Sequence, residues 1–300
     1  MSSSVVLIVG PLFIGTVLNW SLQGLLTGQT YHFKVQFPKE KTWMKCFVYI
    51  LFLLNLVQTL VTTSFAWDLL VAGWGVPAAL ASVPWSGAVH LALTGLISFI
   101  VQLFFCWQIW TIKKDVLVAK FVCVFIALVG LTQFVSVIID STQTTNLDFN
   151  AIPTKTLLGE IWLIGSFVAD ILIAVVMIAI LVEARMNSRH STTNDVLLRL
   201  IIQTVETGSL TAITAGVDLI LFLKSPGNYL FLCPSLILGK LYTNAVVARL
   251  NSRRTSQTPH STGVNVELGS QPSQQFEIHH LSQRNRGIVQ SEERDLSFLK

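Results

Sequence analysis

The chain is 300 residues long, 52% hydrophobic and only 12% charged, with a formal net charge of +4 and a mean hydropathy of +0.63. An ordinary soluble domain carries about 25% charged residues, so there is too little charge here to cover a globular surface. The apolar residues come in runs of the length, about 20, that crosses a bilayer as helix, and the cations sit at the ends of those runs, which excludes nucleic acid as a partner.

A membrane β-barrel would show short alternating strands instead. The fold class implied is all-α: an integral membrane seven-helix bundle, with the lipid bilayer as its first partner. In chain order the predicted spans are 4–26, 44–66, 88–110, 116–139, 157–182, 200–223 and 228–249. The opening Met1-Ser2-Ser3-Ser4 has no basic run, so a cleaved signal peptide is not expected. The first loop carries Lys34, Lys39, Lys41 and Lys45, the third Lys113 and Lys114, the fifth Arg185, Arg189 and Arg199. Arg249, Arg253 and Arg254 open the tail, whereas the second loop (67–87) has no Lys or Arg, the fourth only Lys155 and the sixth only Lys224. Positive residues mark the cytoplasmic side, which predicts an outside N-terminus and a cytoplasmic C-terminus. Plasma membrane is the location this orientation and span length suggest.

The outer loops are short and hold few ionisable groups: Asp68, Asp140, Asp148 and Lys155. Trp67, Trp74 and Trp85 frame the second loop and suit an interfacial aromatic belt; Pro77 and Pro84 break it into turns. Cys46, Cys106, Cys123 and Cys233 lie in or beside apolar runs without CxxC spacing, as packing residues do, so neither a disulfide framework nor a metal site is expected. From 251 to 300 the composition turns to Ser, Gln and Asn with few apolar runs, which predicts a disordered cytoplasmic tail.

Residues three and four apart share a helix face, and most spans carry a polar stripe at that spacing. The stripes are Thr16, Asn19 and Gln23; Asn55, Gln58 or Thr59, and Thr62; His90, Thr94, Ser98 and Gln102; Gln133, Ser136 and Asp140; and Ser166 with Asp170. Lipid cannot satisfy polar groups, so these faces are expected to turn inward, for interhelical hydrogen bonds or for a polar cavity. The sixth span has two such faces. Thr204, Gly208, Ala212 and Gly216 form a small-residue seam for close approach of a neighbour. Thr207, Thr211, Thr214 and Asp218 form a hydroxyl and carboxylate stripe.

Ionisable groups inside spans are functional-site candidates by default. At a rise of about 1.5 Å per residue, Glu206 lies about 10 Å and Lys240 about 13 Å from the cytoplasmic ends of their spans, with Asp170 slightly deeper and Asp218 toward the outer side. Equal depth predicts a buried Lys240–Glu206 pair, with Asp170 as the competing partner. The candidate intramembrane site is then Asp170, Glu206, Thr207, Thr211, Asp218, Lys240 and Asn244.

Several features of 165–254 carry a resemblance: Asp170 followed by a short basic loop, the Thr-Gly-x-x-Thr of Thr207 to Thr211, Leu241-Tyr242-x-Asn244, and Leu250-Asn251-Ser252-Arg253. The block resembles a domain of unknown function in fungal, mainly basidiomycete, multi-spanning membrane proteins. The resemblance implies architecture and no activity.

A receptor-like or sensor-like protein for a small ligand fits this topology, though no Asp-Arg-Tyr or Asn-Pro-x-x-Tyr run is present. The alternative is a carrier of a small solute, coupled to protons through Asp170, Glu206 and Lys240; a membrane scaffold is the third reading. A retinal lysine at Lys240 would need a counter-ion, and the third span has no Asp, Glu or Arg. There is no HExxH helix, and His32, His90 and His190 are isolated, so neither an enzyme nor a cofactor is expected. The partners this reading allows beyond lipid are a small molecule and a cytoplasmic protein on the tail.

Overall fold

The structure, a computed structural model, describes residues 2–74, 84–113, 116–144, 157–186, 191–224 and 229–253. The chain divides into Met1–Gln257 and Thr258–Lys300, and the second unit, with most of the predicted tail, lies outside the described residues. So do Pro77, Lys114, Asp148, Lys155, Arg189, His190 and Arg254.

Among the described residues there are seven α-helices: α1 (Ser2–Gln36), α2 (Thr42–Trp67), α3 (Trp85–Ile112), α4 (Leu117–Thr144), α5 (Leu157–Met186), α6 (Ser191–Lys224) and α7 (Leu232–Ser252). A π-helical turn, Asp68–Ala72, continues α2. Pro84 immediately precedes α3, where a ring that lacks an N–H costs the helix nothing. Helices run past the predicted spans at several ends: Lys34 belongs to α1, and Arg199 to α6.

Each helix packs on the next in sequence, and α7 closes the ring on α1; α3 and α7 each touch four other helices. Among the described residues, six helices are long and apolar enough to cross a membrane. The exception is α7, whose position explains its composition. Every residue from 238 to 247 is buried by protein, so α7 needs no apolar face toward lipid and accommodates Lys240, Thr243 and Asn244. The outward faces of the other helices are apolar, with Phe13 and Ile14 on α1, Leu53 and Leu60 on α2, Phe121 and Leu128 on α4, and Ile213 and Ile220 on α6 all exposed. Trp67, Trp74 and Trp85 are also exposed.

Inside, Leu26, Phe33, Leu51, Ile97, Leu238 and Val246 join α1, α2, α3 and α7, and Cys106, Ile109, Cys123, Ile173 and Met177 join α3, α4 and α5. The small-residue seam on α6 meets α5: a Cβ on Gly208 would lie 3.2 Å from Ala174 Cβ, and one on Gly216 3.1 Å from a Phe167 ring carbon. Contacts this close supply the dispersion energy that holds helices together where lipid is as apolar as the interface.

Candidate functional site

The polar stripes face inward. Asn19, Gln23, Asn55, Gln58, Thr59, Thr62, His90, Thr94, Ser98, Gln102, Gln133, Ser136, Asp140, Ser166 and Asp170 are all buried, and Thr16 is half-buried. The hydroxyls of Thr16, Thr59, Thr62, Thr94, Thr207 and Thr214 donate to a carbonyl four residues back in their own helix. Such back-bonding satisfies a Ser or Thr locally and leaves cross-helix bonding to longer side chains. Amides supply it here: Asn19 Nδ2 donates to Leu236 O at 2.7 Å, Asn55 Nδ2 to Thr243 Oγ1 at 2.7 Å, and Gln58 Nε2 to Thr94 Oγ1 at 2.8 Å.

Two polar layers result, on opposite faces of α7. At 3.6 residues per turn, residues two apart point about 200° apart, so Lys240 and Tyr242 face different halves of the bundle. Lys240 is fully buried and points at α1 and α2, donating to Gln23 Oε1 at 3.0 Å and to the Asn55 carbonyl. Nearby, Thr62 Oγ1 and His90 Nδ1 are 2.7 Å apart. Asn244 donates to Lys240 O at 2.8 Å and to Leu22 O at 3.3 Å.

Tyr242 points the other way, donating its hydroxyl to Asp170 Oδ2 on α5 at 2.8 Å. Beside this pair, Gln133 Oε1 on α4 accepts from Gln102 Nε2 at 3.3 Å and from Ser166 Oγ at 3.2 Å.

These directions correct the expected ion pair. Lys240 pairs with neither Glu206 nor Asp170; the ion pairs among the described residues are Lys113–Glu183 and Arg253–Glu40. Glu206 is exposed on the outside of α6, and Asp170 takes the tyrosine hydroxyl instead. Lys240 turns toward α1 and α2, whereas the Thr204–Arg249 bond sets Glu206 nearer the level of Arg249 than of Lys240. Asp218 is fully buried, beside Ser235 and Cys233 of α7, and neither of its oxygens is in hydrogen-bond geometry with a donor.

Below the Asp170–Tyr242 bond, α3, α5, α6 and α7 line a partly open cavity of about 40 Å³. That is room for a few water molecules. Val101, Gln102 and Phe105 line it from α3, Asp170, Ile173 and Ala174 from α5, Thr204, Thr207, Gly208 and Thr211 from α6, and Tyr242, Ala245 and Arg249 from α7. Of the seven site residues read from the sequence, the structure brings Asp170, Thr207 and Thr211 together here, and leaves Glu206, Asp218, Lys240 and Asn244 elsewhere.

Arg249 is the residue that the sequence reading missed. In sequence it stands where the basic tail opens, yet it is 6% exposed, bonded to Thr204 Oγ1 and stacked 5.9 Å from the Phe105 ring centre. The signal was present: Tyr242, Ala245 and Arg249, three and four apart, share one face of α7. Thr204 gives its own proton to Leu200 O at 2.6 Å and so serves Arg249 as an acceptor. Among the described residues no carboxylate pairs with Arg249, and no three His, Cys, Asp or Glu side chains converge as a metal would need.

Helix length, outward apolar faces and an inward polar network define an all-helical protein of membrane-spanning type. Residues 166–255 match a family described as a family of unknown function, DUF6534, so the chain contains a domain to which no activity is attached. No curated protein and no solved structure matches the chain. The match takes in every cavity residue of α5, α6 and α7; only Val101, Gln102 and Phe105 lie outside it.

Proposed function

We propose that this chain is a seven-span membrane protein of the receptor or sensor type, which holds a small polar ligand in the cavity between α3, α5, α6 and α7. The observation that carries the reading is that two buried ionisable side chains of opposite type, Asp170 and Arg249, border one cavity and do not pair with each other. Burying a charge without a partner costs several kcal/mol, and an occupant of the cavity is the means of recovering it.

The proposed orientation, N-terminus outside and C-terminus in the cytoplasm, is supported by where the cations gather. Lys45 donates to Pro38 O between α1 and α2, Arg253 meets Glu40, and Lys113 meets Glu183, so these basic ends share one side of the bundle. The cavity lies toward that side. Plasma membrane remains the proposed location, and the tail from 251 is the proposed contact for a cytoplasmic partner.

A carrier is the second reading, and the far half of the bundle weighs against it. To pass a solute outward, α7 would have to part from α1, breaking the Asn19, Lys240 and Asn244 bonds together. α1 and α7 are also interlocked at Gly15, where an added Cβ would lie 2.9 Å from Leu236 Cδ1 and 3.2 Å from Cys233 Cα.

The test is ligand-induced stabilisation of the purified full chain by a panel of small acids, amines, amino acids and alcohols. Members of the panel are expected to raise the unfolding midpoint of the native chain, and Thr207→Leu is expected to abolish the effect. Thr207 spends its proton on Gln203 O at 2.7 Å, so leucine fills the cavity without orphaning a partner. Stabilisation that survives Thr207→Leu removes the cavity as the site. Accumulation of a stabilising compound in proteoliposomes decides for the carrier.

A further inference from the structure

Arg249 and Asp170 differ in what they lack, and both residues line the same cavity. A guanidinium has five N–H donors in a rigid fork that matches a carboxylate in bidentate fashion. Arg249 uses one of its side-chain nitrogens, Nη1, on Thr204, and among the described residues its guanidinium has no other hydrogen bond. Asp170 accepts a hydrogen bond at Oδ2 from Tyr242, and among the described residues no donor reaches its Oδ1. Tyr242 and Arg249 are two turns apart on α7, about 10 Å along the axis. Between them the walls are apolar, from Val101, Phe105, Ile173 and Ala174, and the threonine hydroxyls are spent on their own helix carbonyls.

From this we infer that the cavity is built for a small zwitterion, an amino acid of two to four carbons, with its carboxylate on Arg249 and its ammonium on Asp170. The inference rests on the cavity reading given above and adds the ligand class. A ligand with only an acid would satisfy Arg249 and leave a second anion, Asp170, in the same low-dielectric space; a ligand with only an amine would leave Arg249 unpaired. A zwitterion brings no net charge into the bundle and gives each buried charge its counter-ion. The apolar walls accommodate the methylenes between its ends. At about 40 Å³ the cavity favours the shortest of these spacers.

The experiment is calorimetric binding to the full chain in phosphatidylcholine nanodiscs. The probes are glycine, 3-aminopropanoate and 4-aminobutyrate, each set against the acid and the amine of the same carbon count. At least one amino acid is expected to bind tenfold or more tightly than either of its one-ended counterparts. Arg249→Gln is expected to erase its advantage over the amine, and Asp170→Asn its advantage over the acid. Replacing part of the lipid by phosphatidylethanolamine, whose head carries a phosphate and an amine, tests a bilayer source of the same chemistry: competition with the free probe assigns the occupant to the lipid and keeps two-ended recognition.

Equal binding of acids, amines and amino acids, or no binding of any amino acid, overturns the inference even if a variant fails to fold, because that comparison uses the native chain alone. Binding of a different class that Thr207→Leu abolishes overturns the zwitterion and leaves the cavity as a ligand site. Binding that Thr207→Leu leaves intact overturns both.

Discussion

Replacing Lys240 by alanine is expected to destabilise the bundle by about 3–5 kcal/mol, measured as the shift in equilibrium unfolding in detergent micelles. The side chain is fully buried and is among the largest so enclosed. Alanine removes the donor that Gln23 Oε1 and the Asn55 carbonyl share across three helices, and it empties the volume of the lysine stem. Lys240→Met separates the two contributions: it keeps the volume, loses the charge-assisted bonds, and is expected to cost about 1.5–3 kcal/mol. Glu206→Gln is the control. Glu206 is exposed and forms no ion pair, so its neutral variant should lie within about 0.5 kcal/mol of the native chain. Comparable losses from Lys240→Ala and Glu206→Gln would restore the carboxylate pair that depth alone suggests.

The second large effect is expected at Gly95. A Cβ there would lie 2.2 Å from Val137 Cγ1 on α4, a separation that no real pair of carbons tolerates. Val137 is fully buried, and a β-branched side chain in a helix has essentially one χ1 rotamer, so it cannot swing aside. Gly95→Ala must then push α3 from α4 and is expected to cost about 1–3 kcal/mol. Val137→Ala removes the obstructing methyl groups. In the double variant the two changes are expected to compensate, with a coupling of about 1–2 kcal/mol read from the cycle of unfolding free energies. Strictly additive losses would mean that α3 and α4 do not approach this closely.

Periodicity made much of this interior legible. The stripes on α1 to α5 can be read at helical spacing because lipid offers polar groups no alternative to the inside of the bundle. The azimuth of α7 was not legible. Nothing in 238–244 taken alone says that Lys240 faces α1 and α2 while Tyr242 faces α5, because α7 is buried all round and has no apolar side from which to orient it. The same burial removes α7 from the helices apolar enough to span. Arg249 was obscured for a different reason: the basic cluster with Arg253 and Arg254 reads as a solvated helix end. Arg253 does meet Glu40 there and stacks over Phe37 at 5.5 Å, whereas Arg249, one turn earlier, points inward. Asp170, Thr207 and Thr211 could be picked out as candidates, but their meeting around one space depends on how α5 and α6 pack, which their small residues permit without specifying.

The central claim is that the space bordered by Asp170, Thr207 and Arg249 is a site and not a packing defect. A direct test is an electron cryo-microscopy map of the full chain in nanodiscs, with and without whichever of glycine, 3-aminopropanoate and 4-aminobutyrate binds most tightly. Ordered density bridging the Arg249 guanidinium and the Asp170 carboxylate is expected in the presence of the amino acid, and no carboxylate of the chain on Arg249 in its absence. A map in which α6 has closed onto α3 and α7, with Arg249 paired to an acidic side chain of the protein, would contradict it.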